Sequence, residues 1–240
     1  MNRVFFFLAI LTSFPSIAEK DVSYTHVFLD SLSTQINVGY SKNSTLDSVN
    51  NILKNNGQNS LNYSGQGMHA AIILLDEFRL THPFYIGARA GAELWSNLSG
   101  TSTVTSIFPN NTLSYSYQQK YGFFADITLD YEVIDDLFDI YGFIGAGYTH
   151  YQLTGTNIIT NQPQSQFRSE KILQPAPRAG FGFSYTFNTI YLIGLEYIHT
   201  FNNSRVFNAT GINQFNDNLN HHIVTSTNTI DLTIGVYMNT

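Results

Sequence analysis

The sequence predicts an all-β fold, an eight-stranded antiparallel up-and-down transmembrane β-barrel. Three observations predict it. Apolar and polar residues alternate with a period of two along several long segments, and the connections between these segments are in turn long and polar, then short. Charged residues make up only 12% of the chain, against about 25% in typical soluble domains. Aromatic residues reach 15%, which suits an outer wall that faces lipid.

The clearest strand runs from Ser114 to Tyr131. One parity of this segment is apolar and aromatic, broken only by Gln119, and the other carries Lys120, Asp126 and Asp130. Because successive side chains of a strand point to opposite faces, the segment has one apolar and one charged face. At about 3.3 Å per residue it reaches roughly 60 Å, whereas about 9 to 11 residues suffice to cross a membrane. Such a strand can cross a membrane and project beyond it.

The first residues have the pattern of a secretory signal. Arg3 precedes an apolar run from Val4 to Leu11, and Ser16-Ile17-Ala18 is a small-x-small cleavage site. The run is too short to span the roughly 30 Å of a bilayer core as a helix. The predicted domains are therefore a signal peptide at 1–18, a periplasmic lead-in at 19–33 and an outer-membrane barrel domain at 34–240.

Composition narrows the function classes. The chain has 11 Lys and Arg residues against 17 Asp and Glu and no basic cluster, which argues against nucleic acid as a partner. It has no cysteine, which excludes disulfides and thiolate metal sites. No later segment reaches the roughly 18 consecutive apolar residues of a transmembrane helix. An exported chain of this kind is periplasmic, secreted or an outer-membrane barrel.

Strands 1 to 4 form the first half of the predicted barrel. Strand 1 alternates residues such as Ile36 and Val38 with polar ones, whereas strand 2 is apolar on both parities, so its facing cannot be assigned. Strand 3 has small apolar residues on one parity and Arg89 and Glu93 on the other. The predicted bounds are Thr34–Ser41, Gly67–Phe78, Phe84–Trp95 and Ser114–Tyr131.

Strands 5 to 8 form the second half. Strand 5 is interpreted with Ile144 on the outward parity and Phe143 on the inward one, and strand 6 has an aromatic parity opposite Arg178. Only Asn188-Thr189 separates strands 6 and 7, which is a hairpin-length connection. The predicted bounds are Ile140–Leu153, Ile172–Phe187, Ile190–Phe201 and, for the clearest part of strand 8, Thr229–Met238.

The connections set the predicted orientation. They are long and polar after strands 1, 3, 5 and 7, and short after strands 2, 4 and 6. Outer-membrane barrels have short periplasmic turns and longer extracellular loops, so an even strand count puts both termini in the periplasm and four loops outside. In the first loop, Leu46, Val49 and Leu53 have the i, i+3, i+7 spacing of one or two helical turns.

A signal segment, the Gly-rich strands YIGARAGAEL, YGFIGAGY and PRAGFGFSY, and the closing TIDLTIGVYM occur together in this chain. With these features it resembles the small outer-membrane β-barrel family typified by the OmpA transmembrane domain, OmpX and the opacity proteins. The resemblance implies a bacterial outer-membrane location, contact with outer-membrane lipid and lipopolysaccharide, and insertion by the outer-membrane assembly machinery. The family's last residue is usually Phe, whereas here the apolar row ends at Met238 and Thr240.

The inward parity collects eight charged residues. An eight-stranded barrel is just wide enough for side chains to fill, and buried charges are tolerated when they are paired. We therefore expect a polar plug built around Arg89, Lys120 and Arg178 with acidic partners, with a narrow pore as the alternative. The predicted interior network is Arg89, Glu93, Lys120, Asp126, Asp130, Arg178, Glu196 and Asp231.

Catalytic and metal sites are not predicted. His150 precedes Tyr151 and Gln152, so the His-x-Ser pattern of outer-membrane lipid A deacylases is absent. His69 has no evident partner, and the adjacent His221 and His222 would point apart in a strand. We expect no catalytic residue, cofactor or metal. The alternatives are a lipid-modifying outer-membrane enzyme and a soluble carrier of the lipocalin type.

Many aromatic residues fall near the predicted strand ends. A ligand platform is one interpretation, and an interfacial girdle at headgroup depth is the favoured one. The predicted girdle comprises Trp95, Tyr115, Tyr117, Tyr131, Tyr185, Phe187, Tyr191 and Tyr197. The resulting hypothesis is a monomeric, non-enzymatic barrel that displays four polar loops and has a structural or adhesin-like surface role, with host or surface molecules as loop ligands.

Overall fold

The computed structural model describes residues 32–49, 61–105, 111–159, 165–209 and 219–238. Residues 1–31, which hold the predicted signal peptide and nearly all of the predicted lead-in, lie outside the described residues. Within the described ranges, no helix is long and apolar enough to cross a membrane. The strands are β1 (Ser33–Val49), β2 (Leu61–Thr81), β3 (Phe84–Thr105), β4 (Asn111–Ile134), β5 (Phe138–Ile159), β6 (Ser165–Phe187), β7 (Tyr191–Ala209) and β8 (Leu219–Tyr237).

The strands pair in chain order into a closed barrel, in which β8 returns to pair antiparallel with β1. This confirms the predicted eight-stranded, antiparallel up-and-down architecture. Closure leaves no exposed strand edge, because every strand has a neighbour on both sides.

The strands are longer than predicted. Residues 96–105, predicted as loop, continue β3, and residues 154–159 continue β5. The predicted helical turns are wrong for Leu46 to Val49, which belong to β1 and pair with β8, while Leu53 lies outside the described residues. Backbone pairing does not need an apolar face, so a strand can continue where its hydrophobic alternation ends.

The outward face carries a belt of apolar side chains on all eight strands. Ile144 of β5, for example, is 68% exposed. In β2, whose facing could not be assigned, Ile72 and Leu74 point outward, and Ile73 packs inward with Ala71 and Phe124. Both parities of β2 are apolar because this strand also supplies part of the apolar core inside the barrel.

A β-bulge in β4 corrects the predicted facing of its upper part. The pairing with β5 shifts between Gln119 and Tyr121, so one extra residue, Lys120, occupies the bulge. Below the bulge, the apolar parity of β4 faces outward and the polar one faces inward, as predicted. Above it the parity is reversed, and Tyr117 and Gln119 are buried inside the barrel at 1% exposure. The prediction that Tyr117 belongs to an outer girdle is therefore wrong. Lys120, predicted for the interior network, lies at the bulge and is partly exposed.

The turns after β2, β4 and β6 lie together at one edge of the barrel, called here the short-turn end. Asn188 and Thr189 have φ of 54° and 57°, the left-handed pair that a type I′ hairpin requires. The turns are joined by backbone hydrogen bonds, from Glu132 N to the Pro83 carbonyl and from Thr186 N to the Leu137 carbonyl, each 2.9 Å. This end of the barrel is therefore a connected rim.

Candidate functional site

The middle of the barrel contains two arginines, held by three carboxylates. Arg89 Nε donates to Asp126 Oδ2 at 2.8 Å, and its Nη1 donates to Glu196. Arg178 Nη1 donates to Glu93 Oε2 at 3.0 Å, and its Nε lies 3.3 Å from Asp126 Oδ1. Asp126 thus bridges the two guanidinium groups. All five side chains are buried, which makes their pairing necessary.

Strand register explains why these charges meet. Arg89 of β3 lies opposite Asp126 of β4, Asp126 lies opposite Gly145 of β5, and Gly145 lies opposite Arg178 of β6. A Cβ at position 145 would collide with Asp126 Oδ1. Glycine at this position therefore leaves the space through which Asp126 and Arg178 approach each other across β5.

Aromatic rings cover the faces of both guanidinium groups. The Arg89 Cζ atom lies 3.4 Å from the Phe143 ring centroid, and the Arg178 Cζ atom lies 3.9 Å from the Phe124 centroid. Cation–π attraction strengthens when the cation is desolvated, as it is here. The rings thus hold the guanidinium planes while the carboxylates accept at their edges.

His69 extends the cluster to a third basic side chain. Its Nδ1 lies 2.8 Å from Asp231 Oδ2, and its Nε2 lies 3.5 Å from Glu93 Oε2. Sequence reasoning missed this contact because β2 is apolar on both parities, which hid the inward direction of His69. The resulting cluster, called the plug, consists of His69, Arg89, Glu93, Asp126, Arg178, Glu196 and Asp231.

The predicted interior residues do not all belong to the plug. The structure brings Arg89, Glu93, Asp126, Arg178, Glu196 and Asp231 into it. Asp130 is buried one layer closer to the short-turn end, and Lys120 lies at the bulge. The plug residues come from six strands, β2, β3, β4, β6, β7 and β8, so their side chains enter the lumen from several sides.

Above the plug, neutral polar and aromatic side chains are buried inside the barrel. Trp95, predicted for the outer girdle, is 8% exposed, and its Nε1 donates to Ser41 Oγ at 3.2 Å inside the barrel. The Tyr117 ring stacks on Tyr151 with centroids 5.2 Å apart, and its hydroxyl accepts from Thr225 at 3.1 Å. Of the other predicted girdle residues, Tyr131, Tyr185, Phe187 and Tyr191 are exposed outward and Tyr197 is partly exposed.

Below the plug, a cavity of about 450 Å³ reaches the short-turn end. Its lining includes the guanidinium of Arg89 at the top and the turn residues Asp136 and Thr189 at the bottom. Both turn residues are exposed, so the cavity meets solvent at this end. The lining carboxylates are Glu77, Asp130, Glu132, Asp136 and Asp139.

One cluster at the short-turn end has the donors of a metal site. Among the described ranges, only His82, Glu132 and Asp135 offer three such ligand atoms within 4.8 Å of one another. The imidazole already lies between the two acids, with Nδ1 3.4 Å from Glu132 and Nε2 3.6 Å from Asp135. Glu132 also accepts from Asp136 N at 2.7 Å. These contacts already hold the imidazole between the two carboxylates of the turn.

The histidines do not form an accessible hydrolytic site. His69 and Asp231 have the distance of a base and its orienting acid, but both are buried within the plug. A substrate would have to displace the plug to reach them. His150 stacks on Tyr121, with centroids 4.7 Å apart and planes within 1°. The arrangement can hold charge and close a lumen.

No protein-family model matches the sequence, and no curated protein matches it either. Solved structures do match. The outer membrane protein OprG from Pseudomonas aeruginosa has a TM-score of 0.48 at 10% identity, over 88% of this chain and 99% of that one. Ail of Yersinia pestis, solved with the heparin analogue sucrose octasulfate, has a TM-score of 0.33 at 11% identity, over 85% and 99%. Neisserial surface protein A has a TM-score of 0.33 at 11% identity, over 85% of this chain and 97% of that one.

The chain has the fold of the small outer-membrane β-barrels. Strand order, closure and burial in the chain itself carry this assignment. Eight strands close around an interior of buried polar and charged side chains, and the outer wall exposes apolar side chains.

Proposed function

We propose that this protein is a monomeric outer-membrane barrel with a closed lumen, which acts through the parts that project from the cell surface. The short-turn end then faces the periplasm, together with both termini. The connections after β1, β3, β5 and β7 face outward, where they support envelope structure or contact surface molecules. The proposed partners are outer-membrane lipid and lipopolysaccharide along the wall, the assembly machinery during insertion, and a host or surface ligand at the outer end.

The observation that carries this proposal is the direction of the two parities. The inward parity holds paired Arg, Asp and Glu, while the outward parity exposes apolar side chains on every strand. A soluble lipocalin-type barrel would have the opposite arrangement. An apolar surface that continues around a whole barrel far exceeds the few hundred Å² normal for a soluble monomer. An apolar outer wall of this extent is therefore expected to contact lipid.

The apolar belt has a definite upper boundary. In β8 the outward row runs from Met238 to Ile230 and then changes to Asn228 and Ser226. The paired strand changes at the same height, since Tyr40 lies opposite Ile230 and Lys42 lies opposite Asn228. The stretch below this boundary matches the roughly 9 to 11 residues of one membrane crossing.

Above the boundary the strands continue as a paired collar. In β3 and β4 the antiparallel register runs from Ser99–Gln118 to Thr105–Thr112. At about 3.3 Å per residue and a barrel tilt near 40°, such an extension stands roughly 15 Å or more beyond the membrane. The collar places the outer connections on a rigid base, and loops on rigid scaffolds are where binding residues concentrate.

The proposal is non-enzymatic. The buried position of the His69–Asp231 pair supports this, because a general base must reach its substrate. Mass spectrometry of lipid A from strains with and without the protein tests it. Unchanged lipid A is the expected result, and a modification lost with the gene would contradict the non-enzymatic assignment.

Location and surface role need separate tests. Membrane fractionation of cells should recover the protein in the outer membrane, and recovery from the soluble periplasmic extract would overturn the assignment. For the surface role, a deletion strain is compared with strains complemented by the native protein or by a shortened one. The shortened variant joins the opposed residues Thr101 and Ser116 with Asn-Gly, which keeps the barrel register and removes one collar hairpin.

We expect the deletion to weaken surface binding or envelope integrity, and the native gene to restore it. A loop-dependent function would not be restored fully by the shortened variant, whereas a purely structural function would be. Unchanged surface binding together with unchanged envelope integrity in the deletion strain would contradict both roles.

A further inference from the structure

We propose that the cavity at the short-turn end binds a small organic ammonium ion, namely a protonated amine on an apolar body. This inference goes beyond the proposed surface function and does not depend on it. It rests on the charge, the unsatisfied groups and the aromatic walls of the cavity.

The cavity has an excess of acid. Five carboxylates line it, against the guanidinium groups of Arg79 and Arg89. Arg89 is already bound to Asp126 and Glu196 in the plug. The acid excess therefore favours a cation and disfavours an anionic ligand.

A buried oxygen in this wall lacks a hydrogen-bond donor. Asp130 is 7% exposed, and its Oδ2 has no hydrogen-bond partner among the described residues. Thr128 and Glu77 lie beside the same carboxylate and interact with it, and neither is a cationic donor. Buried polar groups are normally paired, and leaving one unpaired is costly. An ammonium group has up to three N–H donors and no acceptor, so it matches Asp130 Oδ2.

Aromatic side chains form other parts of the wall. Phe78, Tyr85, Tyr141 and Tyr237 all line the cavity. Aromatic faces attract organic cations, and aromatic cages recognise quaternary ammonium ligands. The volume of about 450 Å³ lies within the range of small-molecule pockets. The apolar body of an amine would contact these rings while its head approaches Asp130.

A bare metal ion fits this cavity less well. Within the described residues, the one set of three ligand atoms close enough to share an ion is that of His82, Glu132 and Asp135. Of these, only Glu132 lines the cavity. The plug closes the upper end above Arg89, so an amine would enter and leave through the short-turn end. The cavity is therefore a binding site and not a passage.

Isothermal titration calorimetry of the folded, detergent-solubilised protein tests the proposal. The probes are phenethylamine, phenethyl alcohol and phenylacetate, which share one aromatic body and differ in charge. We expect saturable binding of one phenethylamine per barrel and no saturable binding of the alcohol or the acid. Asp130→Asn should weaken phenethylamine binding by roughly tenfold or more, since it removes a charged acceptor.

Asp76→Asn is the matched control. It removes the same charge one residue from Glu77, on the opposite strand parity and outside the cavity lining. Its phenethylamine affinity should stay within about twofold of the native value. Folding of each variant is checked by heat-modifiable migration in detergent gels. Should Asp130→Asn not fold, Asp139→Asn and Tyr237→Leu take its place, and each should weaken phenethylamine binding.

Several results would overturn the proposal. They are no saturable binding of phenethylamine, equal binding of phenylacetate, or an affinity unchanged by the cavity variants. Titration with MgCl₂ completes the set. Suppose that Mg²⁺ binds the native protein, that Asp130→Asn weakens this binding, and that phenethylamine does not bind. The cavity would then be a metal site, and the ammonium assignment would be wrong.

Discussion

The plug and the cavity below it both contain several carboxylates, but the contacts of these carboxylates with basic side chains differ. In the plug, each of the four carboxylates contacts Arg89, Arg178 or His69. In the cavity, five carboxylates line the wall, and one of its two arginines is committed to the plug. The difference separates two uses of buried charge. In the plug, acidic and basic side chains contact one another directly, whereas the cavity wall has more carboxylates than basic groups.

The largest effect should come from breaking the plug at Arg178. Arg178→Met leaves Glu93 and Asp126 with fewer cationic contacts in a buried site, which should cost about 3–5 kcal/mol of unfolding free energy. Urea unfolding of the protein in micelles measures it. Lys42→Met, at an exposed position of β1, is the control and should change stability by less than about 1 kcal/mol. Similar losses of unfolding free energy in both variants would show that the plug contributes no more to stability than an exposed charge does.

A smaller loss should follow from His69→Leu. The substitution leaves the buried Asp231 carboxylate without its imidazole contact, so we expect a loss of about 2–4 kcal/mol. The matched control at the other region is His82→Leu, whose imidazole is half-exposed and should contribute less than about 1 kcal/mol. The same unfolding experiment compares them. If His82→Leu were the more damaging change, the contrast between the regions would be reversed.

The smallest effect, and one of opposite sign, is expected in the cavity. In amine-free buffer, Asp130→Asn removes one of several like charges and should leave stability unchanged or raise it by up to about 1 kcal/mol. Asp126→Asn, one layer higher, removes the bridge between two arginines and should destabilise the barrel by several kcal/mol. Comparable losses in the two variants would mean that Asp130 is also a paired structural group.

The period-two pattern was sufficient to predict the barrel and the membership of much of its interior. Arg89, Asp126 and Arg178 could be assigned because each lies on the polar parity of a strand whose other parity is apolar. Where that contrast was missing, prediction failed. His69 lies in β2, which is apolar on both parities, and its plug contacts were therefore not foreseen.

The other errors have equally local causes. A bulge at Lys120 reverses the parity of β4, and the only sign of it in the sequence was Gln119, which interrupts the apolar row. The collar was predicted as loops because both faces of a strand can be polar once it leaves the membrane. The pairing of Thr45 with Thr225, whose hydroxyls lie 3.0 Å apart, illustrates such a polar strand interior.

Closure of the lumen by the plug is the central claim, and single-channel recording in planar lipid bilayers tests it most directly. The native protein, inserted in folded form, should give no stable conductance steps, because seven buried side chains fill the middle of the barrel. Large, stable and reproducible steps from the native protein would contradict the claim and identify an open pore.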